Sequence, residues 1–85
     1  MKILAIYDNP AFADRYTVYY TGGFYPGNST TKMYDCLGMS AHPFSPQGIG
    51  QHSSGQLGSH NGKKISFSKL PLDCQRAVKQ DLQDN

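Results

Sequence analysis

The sequence predicts a small α+β domain, a mainly antiparallel sheet of about four strands with one C-terminal helix. Two patterns predict this fold: short segments with the apolar or alternating character of β-strands, and a C-terminal segment with apolar residues at helical spacing. Length adds a third observation. The chain has 85 residues, which is enough for one hydrophobic core, since domains typically have roughly 50–200 residues. We therefore expect residues 1–85 to form a single domain.

The first two strands are predicted in the N-terminal quarter of the chain. Residues 2–7 (KILAIY) are largely apolar, and residues 15–20 (RYTVYY) are rich in the aromatic and β-branched side chains that favour strands. Residues 8–10 (DNP) between them are turn formers. Alternation in the second segment predicts that three residues share one face of the sheet: Tyr16, Val18 and Tyr20.

Two further strands are predicted on either side of a long connection. Residues 31–40 (TKMYDCLGMS) alternate, so that Leu37 and Met39 share one face, and this strand is expected to end near Met39. Residues 63–70 (KKISFSKL) also alternate and supply the fourth strand.

A helix at about residues 71–83 is the clearest element. Pro71 suits the first turn, where its missing N–H is not needed, and Asp73 is favourable near the positive end of the helix dipole. Spacings of three and four place five apolar residues on one helical face: Leu70, Cys74, Ala77, Val78 and Leu82.

Residues 41–62 are left as a long Gly/Ser/His-rich loop. No charged residue lies between Asp35 and Lys63, which is unlike the charged composition of disordered segments. Connections longer than about 12–15 residues are uncommon unless they are functional or disordered. The apolar residues of the loop, together with its two prolines, favour an ordered conformation at least over residues 42–52.

Composition excludes several classes of function. The net charge is +2 and the pI about 8.6, which is below the range of about 9 that is typical of duplex nucleic-acid binding. Neither a signal peptide nor an apolar run of about 20 residues is apparent, so we expect a cytoplasmic protein without a membrane segment. Cys36 and Cys74 are then expected to be reduced and buried, with one disulfide between them as the alternative.

The chemistry-bearing residues do not form an established catalytic or metal motif. His42, His52 and His60 lack the i, i+4 spacing of a helical metal site and have no accompanying C-x-x-C, so no metal or other cofactor is predicted. Cys36 and the loop serines lie outside any known nucleophile signature. We therefore favour a binding protein over an enzyme.

The same loop contains the components of an anion site. Glycines allow backbone N–H groups to converge on a ligand, serines and glutamines add polar contacts, and a lysine pair lies beside the loop with Lys69 near it. An ordinary surface loop is the alternative. The residues predicted to hold the ligand are Arg15, His42, Ser45, Gln47, Gly48, Gly50, Gln51, His52, Ser53, Lys63 and Lys64.

Three segments resemble a group of small uncharacterised phage and mobile-element proteins. They are DRYTVYY, YDCLGMSAHPFSPQGIGQH and GKKISFSKLPLDCQRAV. In that group a β-rich part leads into an LGMS-type strand, a Pro/Gly/Gln-rich loop and an LPxxxQ helix. The resemblance covers residues 14–82 and carries no assigned reaction. It implies a context in which small phage proteins act on host defence or host machinery.

These observations lead to three hypotheses of function. The first is a non-enzymatic protein that holds a small phosphorylated ligand, such as a nucleotide signal sequestered in a phage anti-defence role. The second is a protein-interaction module that inhibits a host protein, with Phe44, Ile49 and surface tyrosines as anchors. The third is a small hydrolase with His52 or His42 as its base. The exposed edges of so small a sheet also allow a homodimer.

Overall fold

The computed structural model describes residues 2–84 and has the predicted α+β architecture. Within these residues, five strands form one antiparallel sheet in the order β4-β3-β2-β1-β5. The strands are β1 (Ile3–Asp8), β2 (Tyr16–Tyr20), β3 (Tyr34–Met39), β4 (Gly50–Gly55) and β5 (Lys63–Ile65), and the helix α1 is Leu72–Asp84. Two 3₁₀ turns, Ser59–Asn61 and Phe67–Lys69, flank β5. None of the helical segments described is long and apolar enough to cross a bilayer.

One face of the sheet, here called the helix face, packs against α1. The predicted alternation of β2 and the predicted apolar face of the helix are both confirmed, because they meet in one core cluster. Complete burial of a Val- or Leu-sized side chain contributes about 1.5–3 kcal/mol, so this cluster is the main source of stability. Its buried members are Ile6, Tyr16, Val18, Tyr20, Leu37, Met39, Leu70, Cys74 and Val78.

The other face, here called the crossing face, carries a smaller cluster that includes Tyr7, Tyr19 and Cys36. The rings of Tyr7 and Tyr19 meet edge to face with centroids 5.9 Å apart. Residues 56–62, the crossing segment, cover this cluster. The Tyr19 hydroxyl donates to Oδ1 of Asn61 at 2.8 Å, and the Tyr7 hydroxyl accepts from the backbone N–H of Gly58 at 3.3 Å. Tyr19 is therefore buried and hydrogen-bonded beneath the crossing segment.

The crossing segment carries the chain from one edge of the sheet to the other. β4 and β5 lie at opposite ends of the strand order, so the connection spans four strand spacings, about 19 Å. The end of the crossing segment packs closely against β1. Gly62 has φ +111°, and a Cβ at this position would overlap the carbonyl of Asp8. A residue with a side chain is excluded there by both the backbone conformation and the close approach.

Two element boundaries differ from the sequence-based expectation. The predicted loop over residues 41–62 contains a strand, β4, because Gly50–Gly55 pairs with β3 along its whole length. The predicted fourth strand over residues 63–70 is shorter, since a 3₁₀ turn replaces its second half. Cys36 and Cys74 are free, and they lie on opposite faces of the sheet, which explains why they do not form a disulfide.

Candidate functional site

The structure separates the predicted ligand-binding residues into two groups. Arg15, Lys63 and Lys64 lie near the β5 edge of the sheet, whereas the candidates between residues 42 and 53 lie on or before β4, at the opposite edge. The expected single site made by the loop together with the lysine pair is therefore corrected. The crossing segment takes the chain away from β4 before Lys63 is reached, and β3, β2 and β1 lie between β4 and the lysines of β5.

The first group opens onto a cleft of about 570 Å³, here called the basic cleft. Four of its lining side chains are cationic and one is a carboxylate. In the β1–β5 ladder Lys63 is opposite Asp8, so that the two residues project from the same face of the sheet. The lining residues are Asp8, Arg15, Tyr16, Lys63, Lys64, Ile65, Ser66 and Lys69.

Arg15 is held in place at the mouth of the hairpin between β1 and β2. Its Nε donates to Oδ1 of Asp8 at 2.7 Å, and Nη2 donates to Oδ2 at 3.2 Å. The guanidinium also lies over the ring of Tyr16, with Cζ 5.2 Å from the ring centroid. The hydrogen bond to Asp8 is the main cause of a raised pKa for Arg15. A permanent positive charge is thus fixed at the cleft.

Lys69, Tyr16 and Asp8 complete the basic cleft and were not among the predicted ligand-binding residues. The 3₁₀ turn Phe67–Lys69 brings Lys69 back toward β5. The sequence contains one indication that Lys69 belongs to the cleft, because Lys69 lies close in sequence to Lys63 and Lys64. The pairing of Asp8 with Arg15 follows from the hairpin, in which Asp8 is opposite Tyr16. Burial raises the pKa of the Tyr16 phenol, which stays protonated near neutral pH.

Two members of the second group, Gly50 and His52, line a smaller hollow of about 230 Å³ between β4, α1 and the β3–β4 loop. There Nε2 of His52 donates a hydrogen bond to Oδ1 of Asp81 at 2.6 Å. The Asp81 side chain is only 10% exposed. Burial, with a smaller contribution from the nearby Asp81, raises the pKa of the Tyr20 hydroxyl. The exposed His52 is therefore bonded to a carboxylate that lies beside a buried tyrosine.

Of the components of a hydrolase site, the described part of this hollow contains a histidine bonded to a carboxylate, but no hydroxyl or thiol bonded to that histidine. Asp81 holds His52 as an acidic residue does in a catalytic triad. Within residues 2–84, however, the hydrogen bonds of His52 go to Asp81 and to no hydroxyl or thiol. His42 makes a backbone contact instead, since its N–H donates to Oγ of Ser40 at 3.4 Å. Among the described residues, neither histidine ring shares a hydrogen bond with a serine, threonine or cysteine side chain.

The β3–β4 loop uses its backbone N–H groups internally. Ser45 N–H donates to the His42 carbonyl at 3.1 Å, and Gly48 N–H donates to the Ser45 carbonyl at 2.8 Å. Gln47 N–H lies 3.4 Å from Oγ of Ser45. The glycine and serine pattern that predicted an anion-binding loop is thus explained by consecutive turns. This leaves few N–H groups here for a ligand.

Gly48→Ala is expected to destabilise the protein by about 1–3 kcal/mol, as overpacking does. A Cβ at Gly48 would overlap the carbonyl of His42, whereas at Gly50 the nearest atom is 3.9 Å away, on Pro43. Gly50→Ala is the matched control and should change the unfolding free energy by less than about 1 kcal/mol. Urea denaturation of both variants checks this. Equal losses of unfolding free energy in the two variants would show that close packing against the His42 carbonyl does not require glycine at position 48.

The remaining candidates lie on the crossing face. Gln51 and Ser53 pair with Gly38 and Cys36 of β3. Oγ of Ser53 is 3.3 Å from Sγ of Cys36, so it contacts a buried thiol. Within the described residues, no three His, Cys, Asp or Glu side chains converge as metal ligands, and the three histidines stay apart.

Comparisons with protein-family models, with curated proteins and with solved structures found no match to this chain.

Proposed function

We propose that the protein binds a small phosphorylated ligand in the basic cleft and does not turn it over. The observation that carries the proposal is the convergence of four cations on one cleft, in which Asp8 is the sole acidic side chain among the described lining residues. The cations are Arg15, Lys63, Lys64 and Lys69. The cleft's volume of about 570 Å³ is within the range of roughly 300–1,000 Å³ that is usual for small-molecule sites. The ligand class is the one expected from the sequence, but the site uses only part of the predicted residues.

The four cations have complementary roles. Arg15 is already oriented by Asp8, and no described residue accepts a hydrogen bond from its Nη1, so this nitrogen can donate to a phosphate oxygen. Because the guanidinium is fixed before binding, less conformational entropy is lost when the ligand arrives. The lysines act as mobile point charges that close on the phosphate from the β5 side.

Binding without turnover fits the lining of the basic cleft. Ser66 is its one hydroxyl besides the tyrosine, and Oγ of Ser66 lies 3.2 Å from Oγ of Ser68. Among the described residues that line the cleft there is neither histidine nor cysteine. Activation of a serine needs an adjacent base. Sequestration of a phosphorylated signal, in a phage protein that acts in the host cytoplasm, is the role that we propose for such a site.

Lys63→Ala/Lys69→Ala is expected to weaken binding of nucleotides or pyrophosphate by more than about tenfold, equivalent to about 1.4 kcal/mol. The measurement is calorimetric titration with pyrophosphate and with mono-, cyclic and di-nucleotides. Lys2→Ala/Lys32→Ala removes the same charge outside the cleft and is the matched control. A tight ligand should also raise the midpoint of thermal unfolding, since saturation at 100 times Kd adds about 2.7 kcal/mol. Equal affinity in both double variants would remove the basic cleft as the site.

A protein-interaction module that inhibits a host protein is the second candidate. One observation favours it: Phe44 in the β3–β4 loop is 52% exposed, beside the guanidinium of Arg76, which lies 5.5 Å from the ring centroid. Aromatic residues and arginine are enriched at the centres of protein interfaces. If no phosphorylated compound binds, the Phe44 surface becomes the leading candidate.

A further inference from the structure

The outer edge of β4 is open and lacks the features that usually prevent strands from associating. Among residues 2–84, β4 has β3 as its one neighbour. Its sequence, GQHSSG, has no proline and no lysine, arginine, aspartate or glutamate, and its pairing with β3 runs without a bulge. Five of its six residues are exposed. Natural sheets usually protect an edge with charges, prolines or bulges, so an unprotected edge indicates a pairing surface.

The hydrogen bonds next to β4 determine which of its backbone groups point outward. Ser40 N–H donates to the carbonyl of Ile49 at 2.9 Å, so residue 49 faces β3. In an antiparallel ladder the inward and outward residues alternate. The N–H and C=O groups of Gln51, Ser53 and Gly55 therefore face β3. Those of Gly50, His52 and Ser54 point away from the sheet.

We propose that a second copy of this chain pairs with this edge, so that two β4 strands join antiparallel across a two-fold axis at His52. In this register each outward residue meets an outward residue of the partner: Gly50 meets Ser54, His52 meets His52, and Ser54 meets Gly50. Each pair exchanges two backbone hydrogen bonds. Moving the register by two residues leaves an outward residue at each end unpaired. The register centred on His52 therefore satisfies the most backbone groups.

Two features favour a second copy as the occupant, in a closed dimer. Because β4 carries no acidic or basic residue other than His52, two copies of the strand meet without opposed lysines, arginines or carboxylates. The other edge differs: β5 has three residues, two of which are lysines. Pairing of β4 with β5 of the next molecule would give an open, growing assembly. The short lysine-bearing edge disfavours that arrangement and leaves the symmetric β4 pair.

The test is sedimentation velocity of the full chain over a series of concentrations up to millimolar. Ser54→Pro removes one outward N–H and leaves the inward ladder bonds to β3 in place. We expect it to raise the dimer dissociation constant at least about tenfold. Ser54→Ala keeps the N–H and should leave the dimer unchanged. His52→Lys places a cation beside Asp81 and two lysines opposite each other across the pair, and it should also weaken the dimer.

Amide hydrogen exchange gives a readout that does not depend on these variants. In the wild-type protein, the amides of His52 and Ser54 should exchange more slowly as the concentration rises, whereas the inward amide of Ser53 should not change. A protein that remains monomeric at millimolar concentration would overturn the proposal, and the edge would then be open to an extended segment of another protein. A dimer that neither Ser54→Pro nor His52→Lys weakens would also overturn it, since its interface would lie elsewhere.

Discussion

Replacement of Tyr20 by alanine is expected to lower the free energy of unfolding by about 3–5 kcal/mol. Tyr20 is 1% exposed and is among the largest fully buried side chains of the described chain. Its ring lies in the helix-face cluster between the sheet and α1. Domains of this size have a total stability of about 4–13 kcal/mol, at roughly 0.05–0.15 kcal/mol per residue. The alanine variant should therefore lose a large share of its stability, as measured by urea denaturation.

Tyr20→Phe is the matched control for that experiment. It keeps the ring and removes only the hydroxyl, which is buried near Asp81. We expect a loss of no more than about 1.5 kcal/mol, because the ring packing remains and only one polar group is removed. If alanine were no more destabilising than phenylalanine, the ring would not be a main core residue. An unchanged Tyr20→Phe variant would show that the contact with Asp81 contributes little to folding.

The predictions that the structure confirms rest on local patterns. Alternation placed Tyr16, Val18 and Tyr20 on one face, because successive side chains of a strand point to opposite sides whatever the partner strands are. Spacings of three and four identified the buried face of α1, because residues at these spacings lie on one side of a helix whatever it packs against. The apolar side chains of β2 and α1 are buried in the same cluster, so the faces predicted from the sequence are the faces that form the core.

β4 could not be predicted in this way. Gly50–Gly55 contains no apolar or β-branched residue, and its propensity for strand structure is low. It becomes a strand because the turns of the β3–β4 loop bring it back alongside β3, with which it pairs residue by residue. Tertiary pairing therefore overrides local propensity at this position. A composition that indicates a loop is compatible with an edge strand, where few side chains need burial.

Which candidate residues lie together could also be predicted only in part, because their grouping depends on tertiary packing. The structure brings Arg15, Lys63 and Lys64 to one cleft. Residues 42–53, which the prediction combined with them, do not line that cleft. Proximity in sequence suggested one site, but the crossing segment moves the chain across the whole sheet between Gly55 and Lys63. Which edge a late strand joins depends on the packing of Leu57 and Asn61 over the crossing face, which no local pattern encodes.

Above pH 9 the protein is expected to lose stability through Cys74. Its thiol is fully buried in the helix-face cluster and donates to the Ser40 carbonyl at 3.2 Å. Burial, with a smaller contribution from Asp73, raises the pKa of this thiol from 9.0 to about 11. The folded protein thus holds the proton more tightly than the unfolded chain, so the stabilisation is complete below pH 9 and is lost as the pH rises through 11. The loss should reach about 1 kcal/mol at pH 10 and about 2 kcal/mol at pH 11.

Cys74→Ser isolates this effect, because a serine hydroxyl can still donate to the Ser40 carbonyl but does not titrate in this range. Urea denaturation under reducing conditions, repeated from pH 8 to pH 10, should give a declining stability for the wild type and a nearly constant one for the variant. Above pH 10 both proteins should weaken, since burial also raises the pKa of Tyr16, Tyr19 and Tyr20. The difference between the two curves, and not the slope of either, measures the buried thiol. Parallel curves between pH 8 and 10 would mean that Cys74 ionises equally readily in the folded and unfolded states, which is incompatible with its burial under α1.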